Sequence, residues 1–310
     1  MDERQLIREL AHLGWKGSRD VLVGPGDDGA VLRGGLVVST DLSVEEVHFR
    51  LDWISPSEAG FRAGAAALSD MAAMGARPIA LLVSLAVPEA TASALEFQRG
   101  VAAAGDRVAV SIIGGDVSRS PGPVVLDVVA VGRAKGPVLR GGAEAGDELW
   151  VSGALGGAAG AVAAWLAGDE PGPQERSAFV HPPDRTALGV SLAESDCVRA
   201  MIDLSDGLVT DCSHLAGQSG LQAVLDPGSV PIPDGLARGL NLALEGGEDY
   251  ELLFASQPGS EAVFRQLSKA SGVPLTRIGV LQAGDGVLFR QADGQNVPAE
   301  GGFDHFAHPP

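Results

Sequence analysis

Aspartates recur along this sequence beside glycines or at the ends of apolar runs. Their carboxylate oxygens are hard ligands, and Mg²⁺ is usually held by one or two carboxylates together with substrate phosphates and water. Ligand sites in α/β proteins form where strands end, so aspartates from several strands can converge there. The candidates are Asp27, Asp28, Asp41, Asp70, Asp116, Asp203 and Asp206. Together they predict a site where metal ions bridge the protein to phosphate.

Each aspartate alone also has an ordinary structural explanation. An aspartate in a Gly-rich turn commonly accepts hydrogen bonds from its own backbone. Asp206 is the most open to this explanation, because Ser205 and Asp206 are good N-cap residues for a helix predicted to reach about Ser219. Asp70 is the least open to it, since a carboxylate in the middle of a closely packed, Ala-rich helix needs a partner.

The segment VGPGDDGAVL contains a G-x-G-x-x-G pattern in Gly24, Gly26 and Gly29. In a dinucleotide-binding loop this pattern precedes a helix whose N-terminus holds the pyrophosphate. Here two aspartates lie inside the turn and would repel a pyrophosphate, and the residues that follow alternate as strand, turn and strand. The dinucleotide interpretation is therefore rejected, and the aspartates remain to be explained.

Charge composition limits how such a protein could bind phosphate. The chain has 310 residues with 40 acidic and 22 basic side chains, a formal net charge of −18, so a nucleic-acid-binding surface is disfavoured. Divalent cations must then lie between its carboxylates and any phosphate. The P-loop motif G-x-x-x-x-G-K-[ST] does not occur, which leaves metals, the amides of Gly114 and Gly115, and the candidates Arg119, Arg133 and Arg140.

Hydropathy predicts a cytoplasmic protein with no membrane partner, and the cysteine content implies neither structural disulfides nor a Cys-rich zinc site. Cys197 and Cys212 are the only cysteines and form no C-x-x-C pair, so we expect both in the core. The sequence has no unbroken apolar run approaching ~18 residues, and its first ten residues are rich in charge.

Apolar periodicity predicts an α/β or α+β fold of two domains, which 45% hydrophobic content can support. Helices are expected over residues 1–20, 56–74, 92–104, 156–167, 185–194 and 205–219. Strands are expected over residues 36–40, 79–87, 108–113, 124–132, 148–152, 198–203, 250–255, 276–280 and 287–290. The Gly-rich passage 132–153 predicts domains of residues 1–138 and 139–310, and the second half also has a Pro-rich loop with HPPD at 181–184.

A set of motifs in this order resembles the thiamine-monophosphate kinase family, of the aminoimidazole ribonucleotide synthetase-like ATP-binding superfamily. The motifs are GPGDDGAVL, STDLSVEEVHF, ALSDMAAMGARP, IIGGDVSRS, GDELWVSGALG, MIDLSDGLVTDCSHLA, GGEDYELLF and GFDHF. The resemblance implies an N-terminal mixed sheet with helices that pairs across a homodimer, followed by a C-terminal α/β sandwich. It also implies Mg²⁺-dependent phosphoryl transfer from ATP to thiamine phosphate.

The resemblance assigns roles residue by residue. Metal ligands would be Asp28, Ser39, Thr40, Asp41, Asp70, Asp116, Asp203 and Asp206. Contacts to ATP would come from Gly115, Asp116, Arg140 and Ser205, and contacts to thiamine phosphate from His48, Glu248 and Phe303. The expected catalytic set is Asp28, Asp41, Asp70, Asp116 and Asp206, acting through several Mg²⁺ ions, together with Arg140. One departure is Arg99, which stands where relatives often have an aromatic residue near ATP.

The chemistry of the acceptor explains a site rich in aspartate and poor in lysine and histidine. A phosphate monoester has a second pKa of about 6, so its attacking oxygen is mostly anionic at pH 7 and needs no general base. Bringing two polyanions into line requires positioning and charge neutralisation. The cationic thiazolium would suit a carboxylate such as Glu248 and an aromatic face such as Phe303.

Two alternatives stay open on sequence alone. One is another ATP-dependent synthetase of the same superfamily, against which GFDHF and GGEDYELLF argue. The other is a non-catalytic protein that binds nucleotide or metal, in which the aspartates are structural.

Overall fold

The first half of the chain builds a six-stranded sheet with helices packed on it. The structure is a computed structural model that describes residues 3–236 and 239–299. Its first elements are α1 (Glu3–Gly14), β1 (Val21–Val23), β2 (Ala30–Leu32), β3 (Leu36–Val44), α2 (Pro56–Ala73), β4 (Arg77–Val87), α3 (Ala92–Arg107), β5 (Ser111–Arg119) and β6 (Val125–Arg133). The strand order is β1-β2-β3-β6-β4-β5, antiparallel except for the parallel pair β4–β5.

The second half builds a seven-stranded sheet in the order β13-β12-β9-β11-β7-β10-β8. Its elements are β7 (Glu148–Ser152), α4 (Gly157–Leu166), α5 (Pro173–Val180), α6 (Thr186–Ala193), β8 (Val198–Asp203), α7 (Leu208–Gln218), β9 (Gln222–Leu225), α8 (Gly239–Glu245), β10 (Leu252–Ser256), α9 (Glu261–Ser271), β11 (Leu275–Gln282), β12 (Val287–Arg290) and β13 (Asn296–Pro298). One core lies between this sheet and α7 and α8, and another lies on the opposite side with α6 and α9. Cys197 and Cys212 are buried in these cores, as predicted.

Helix α2 connects the two halves. It starts with a capping box, in which Ser55 and Glu58 satisfy each other's backbone N–H, and with Pro56 in the first turn. Its small residues let α3 approach so closely that a Cβ at Gly60 would overlap the carbonyl oxygen of Phe97. The helix also contacts α5, α6 and β8 of the second half. Because α2 is shared, its side chains can meet residues from both halves.

Several predicted boundaries were wrong in ways that bear on the site. Strand β3 continues to Val44 and β5 runs from Ser111 to Arg119, so Asp41 and Asp116 lie inside strands and not at their ends. The Pro-rich loop contains helix α5, because Pro173 occupies the first turn, where its missing N–H is harmless. None of the described helices has the length and apolar character needed to cross a bilayer.

Replacing Gly60 with alanine should destabilise the protein, although alanine in a helix interior is normally better than glycine by about 1 kcal/mol. The new Cβ would force α2 and α3 apart, and overpacking of this kind costs about 1–3 kcal/mol. Urea denaturation measures the change in the free energy of unfolding.

Gly217 is the matched control, because it lies in α7 and a Cβ there would meet none of the described atoms within 4 Å. Gly217→Ala should leave stability unchanged or raise it. A stability gain for Gly60→Ala would show that α2 and α3 can accommodate a Cβ at this contact, which would contradict the expectation.

Candidate active site

Three carboxylates from separate elements meet where the two halves of the chain join. Asp28 lies in the loop between β1 and β2, Asp70 lies on α2, and Asp203 is the last residue of β8. One oxygen from each lies within 4.8 Å of the other two. We call Asp28, Asp70 and Asp203 the carboxylate triad. The three residues are far apart in the sequence, and they meet because α2 packs against β8.

The triad is electrostatically unfavourable while its charges are not compensated. Burial raises the pKa of Asp70 well above its ordinary value, and the charges of Asp203, Asp28 and Asp41 raise it further. Burial also raises the pKa of Asp203 to about 7, with the charge of Asp28 adding to the shift. Burial likewise raises the pKa of Asp28, against the opposing charge of Arg140. A cation at this point would relieve both the repulsion and the lost hydration.

The donors of the triad fit Mg²⁺. They are oxygens at a spacing that one ion can bridge, and Asp28 Oδ2 is buried with no hydrogen-bond partner among the described residues. The other oxygen of Asp28 accepts hydrogen bonds from the guanidinium of Arg140, from Nε at 3.1 Å and from Nη2 at 2.5 Å. The Arg140 backbone N–H donates to Asp27 at 3.2 Å. Both aspartates of the GDD turn therefore hold Arg140 beside the triad.

Further carboxylates surround the triad. Asp41 points to the inner face of β3, and burial raises its pKa to about 6, helped by the charges of Asp127 and Asp206 and opposed by Arg62. Asp211, on the first turn of α7, is 2% exposed and accepts the backbone N–H of Asp206 at 3.0 Å. Ser39 is buried on the same face of β3 as Asp41. The charges of this region therefore exceed what Arg140 and Arg62 balance.

Two loops that carry predicted residues are tied together through their backbones. The N–H of Glu248 donates to Ser205 O and that of Tyr250 to Leu204 O, each at 2.8 Å. The predicted N-cap role of Ser205 and Asp206 is wrong, because α7 begins after Gly207. Gly207 has φ of +106°, and a Cβ there would lie 2.9 Å from the carbonyl oxygen of Glu245. This glycine turn leaves the side chains of Ser205 and Asp206 outside the helix.

Thr40 and Asp116 lie apart from the triad. Thr40 Oγ1 donates to Asp127 at 2.5 Å, on the face of the sheet opposite Asp41. The strand pairing places Asp116 on that same outer face, exposed, on the edge strand β5. Because β5 is three strands from β3, and strands are about 4.8 Å apart, Gly115 and Asp116 are roughly 14 Å from Asp41. Within one chain, the carboxylate of Asp116 therefore cannot bind the same ion as that of Asp41.

Gly115 is required by its position in β5. Its φ is +150°, and a Cβ would overlap the backbone of Val83 on β4. Ile113 is an extra residue in the β4–β5 pairing, which shifts register just before the two glycines. The irregular backbone turns this stretch of an edge strand into a candidate binding surface, as the IIGGD motif suggested.

The residues predicted for the thiamine end are held by neighbouring groups. His48 is half-buried, and its Nδ1 accepts the backbone N–H of Val44 at 3.1 Å, so a neutral ring carries its proton on Nε2. Glu248 has φ of +69° and forms an ion pair with Arg62. Its negative charge is therefore already balanced, which differs from a free carboxylate facing the thiazolium. Phe303 lies outside the described residues, and Arg99 is exposed and paired with Glu96.

Sequence reasoning missed Asp211 and Arg62, although each left a signal. Asp211 follows the helical spacing of Leu208, Cys212 and Leu215, so it occupies a core-facing position of α7. Arg62 is the one basic residue of α2, a helix otherwise made mostly of small and apolar residues. A charged residue at a core-facing position needs a buried partner. For Asp211 and for Arg62, that partner lies in the candidate site.

Comparison with known proteins agrees with this architecture. The family model for the AIR synthase related protein, N-terminal domain, matches residues 26–134, and that for the C-terminal domain matches residues 144–290. The thiamine-monophosphate kinase of Rhodopirellula baltica is 36% identical to the chain, and the match covers 88% of the chain and 87% of that protein. The thiamine-monophosphate kinase of Salmonella typhimurium is 35% identical, and the match covers 94% of each. A solved structure described as AaThiL complexed with AMPPCP and TMP has a TM-score of 0.83 and 29% identity, covering 98% of this chain and 97% of its own.

Fold and site thus define a two-domain protein of the AIR synthase related class, which confirms the predicted fold class. Two relatives that are about 35% identical over most of their own length and of this chain identify the family within that class. The chain belongs to the thiamine-monophosphate kinase family. The resemblance stated from the motifs is confirmed, and the comparisons favour the kinase over the synthetase alternative.

Metal-free protein should be less stable at pH 8 than at pH 5. The carboxyl pKa values rise from 3.8 to about 6 for Asp41 and about 7 for Asp203, so the folded protein binds these protons more tightly than the unfolded chain. This stabilisation is complete below the unfolded pKa and is lost as the pH rises through 6 to 7. Added Mg²⁺ should restore stability at pH 8, by about 2.7 kcal/mol at 100 times its dissociation constant.

Thermal denaturation with and without Mg²⁺ checks this expectation, and Asp70→Asn is its control. The amide keeps the shape of the side chain and removes one buried charge, so the metal-free variant should depend less on pH and gain less from Mg²⁺. An unchanged gain from Mg²⁺ in the variant would place the ions elsewhere.

Proposed function

We propose that the chain transfers the γ-phosphoryl group of ATP to thiamine phosphate, with Mg²⁺, giving ADP and thiamine diphosphate. The observation that carries this proposal is the carboxylate triad, within 4.8 Å, between two AIR-synthase-type domains. A similar structure described with AMPPCP and TMP supports a nucleotide and thiamine phosphate as the two ligands. The −18 net charge is consistent with phosphates that are screened by metal ions.

The triad would hold Mg²⁺ together with the acidic residues around it. Ser39 and Asp41 share the inner face of β3, and with Asp206, whose charge acts on Asp41, they would complete this group. Thr40 and Asp116, on the outer face, would serve a different ion. Contacts to ATP are proposed for Gly115, Asp116, Arg140 and Ser205, and contacts to thiamine phosphate for His48, Glu248 and Phe303.

The residues position reactants and balance charge, and none is needed as a general base. The acceptor phosphate is mostly ionised at neutral pH, so its oxygen can attack directly. Bound Mg²⁺ would shield the phosphates and stabilise the charge that develops on the bridging oxygen. Arg140, held beside the triad by Asp27 and Asp28, would bind a phosphate oxygen with its guanidinium. The transfer is then direct and in line, without a phosphoenzyme.

We also propose that the protein is a homodimer that pairs through the first sheet. Edge strand β5 is exposed along most of its length, with Ile113 and Val117 exposed by 67% and 73%. An uncovered edge with apolar side chains favours pairing with another chain. Residues 1–138 would then bind ATP and Mg²⁺ and dimerise, residues 139–310 would form the C-terminal domain, and the protein would act in the cytoplasm.

ADP release measured by a coupled assay tests the reaction. Thiamine phosphate with Mg²⁺ should support turnover, whereas thiamine should serve poorly because it lacks the anionic nucleophile. Asp203→Asn should lower kcat by at least about 100-fold, since a metal ion held by Asp203 would stabilise the charge of the transition state by several kcal/mol. The exposed Asp169→Asn is the control and should match the wild type. Undiminished turnover by chelator-stripped protein would contradict the proposal.

Analytical ultracentrifugation tests the dimer. The wild type should sediment as a dimer, and Val117→Lys should shift it toward monomer because a charge would be buried in the paired edge. Leu166 is exposed to a similar extent, 69%, on α4, so Leu166→Lys should leave the dimer intact. A monomeric wild type, or equal effects of both lysines, would rule out pairing at β5.

A further inference from the structure

Arg62 connects the first half of the chain to the loop that carries Glu248. It lies on α2 with only 6% of its surface exposed. Its guanidinium stacks on the ring of Phe179 of α5 at 3.5 Å from the ring centroid, and it donates a hydrogen bond to the Phe179 carbonyl oxygen. The same group forms an ion pair with Glu248. One buried cation thus bridges α2, α5 and the loop of residues 246–249, which we call the GGED loop.

Burying this cation is costly unless its partners are fixed. Burial lowers the pKa of Arg62 to about 10, with the charges of Tyr250 and Asp41 opposing the shift, so the group remains charged at neutral pH. A cation–π contact with a desolvated ring and an ion pair offset such a cost only in good geometry. The neighbours of Arg62 are therefore held where its planar guanidinium needs them.

Glu248 needs an external support of this kind. Its φ of +69° is a conformation that a non-glycine residue rarely adopts. The surrounding loop packs so closely that a Cβ at Gly247 would overlap the carbonyl oxygen of Ser205. The backbone is fixed by the bond from Glu248 N–H to Ser205 O, but this bond leaves the side chain free to rotate. The ion pair with Arg62 is what orients the carboxylate.

Helix α2 also sets the distance between the two ends of the site. Arg62 and Asp70 are eight residues apart on α2, which is about 12 Å along the axis. Asp70 belongs to the triad and Arg62 holds Glu248. The backbone positions of the two residues that anchor the two ends of the proposed site are therefore set by one helix.

We propose that Arg62 is a positioning residue for the thiamine-phosphate subsite: its guanidinium, held against the face of Phe179, fixes the carboxylate of Glu248. This inference rests on the proposed function. It also changes the role of Glu248: because its charge is balanced by Arg62, the carboxylate serves as an oriented hydrogen-bond acceptor and not as the sole counter-ion of the thiazolium.

Steady-state kinetics of Arg62→Met test the inference. The KM for thiamine phosphate should rise at least about tenfold, which corresponds to 1.4 kcal/mol. The KM for ATP should rise less than the KM for thiamine phosphate, because Arg62 acts on the metal-binding group only through its charge near Asp41 but pairs directly with Glu248. Arg62→Lys keeps the charge but loses the planar contacts, so its KM for thiamine phosphate should be intermediate.

Arg176 supplies the matched control. It joins α5 to α2 through Glu58 at 2.8 Å, so it fastens the same two helices away from Glu248. Arg176→Met should leave both KM values unchanged. If it reproduces the effect of Arg62→Met, or if both KM values rise together in Arg62→Met, the role of Arg62 is only structural and the inference is overturned.

A double-mutant cycle with Glu248→Gln decides whether Arg62 acts through Glu248. The two substitutions should be strongly non-additive in the KM for thiamine phosphate, and additive effects would overturn the inference. If Arg62→Met does not fold, the same cycle with Arg62→Lys is decisive. A wild type that releases no ADP with thiamine phosphate contradicts the proposed function itself, whereas an active wild type with unaltered Arg62 variants contradicts only this inference.

Discussion

Repulsion among Asp28, Asp70 and Asp203 is the constraint on which the rest of the structure depends. Negative charges on three carboxylates within 4.8 Å repel one another, and the burial of Asp28 and Asp203 together with the partial burial of Asp70 removes much of the water that would screen them. Such an arrangement persists only if the surrounding packing is strong enough to hold it. The fold meets this need by placing the triad where helix α2 of the first half packs against strand β8 of the second.

Helix α2 contributes most of the packing that holds the triad in place. Its residues belong to the core under the first sheet, and Ala72 and Ala73 extend into a core of the second. Along one helix it presents Arg62 to the GGED loop, Ser69 to Asp203 at 2.7 Å, and Asp70 to the triad. Alanine and glycine dominate the helix because larger side chains would separate the partners that its few polar residues must reach. In a thiamine-monophosphate kinase, the fixed spacing of these polar residues along α2 would serve to align two phosphorylated reactants.

Sequence patterns predicted much of the fold, and the errors have physical causes. Strands β4, β6, β7 and β8 and helices α2, α3, α4 and α6 lie close to their predicted positions, because apolar periodicity follows burial. Helix α5 was missed since proline marks loops and helix starts alike. The cap of α7 was misplaced because an aspartate can cap a helix or face a site, and only Gly207 distinguishes the two. Asp41 and Asp116 were expected at strand ends, but a side chain inside a strand reaches a site just as well when it points to the right face.

The sequence by itself determined which chemistry is present: hard oxygen ligands, few lysines, and motifs whose order identifies the family. Residue types and local spacing carry that information without any fold. Tertiary structure alone decided which carboxylates lie close enough together to hold one ion. It grouped Asp28, Asp70 and Asp203 across 175 positions of the chain and kept Thr40 and Asp116 on another face. It also revealed Arg62 as the partner of Glu248. Convergence of this kind depends on how α2, β3 and β8 pack, and packing is a property of the whole chain that no local pattern encodes.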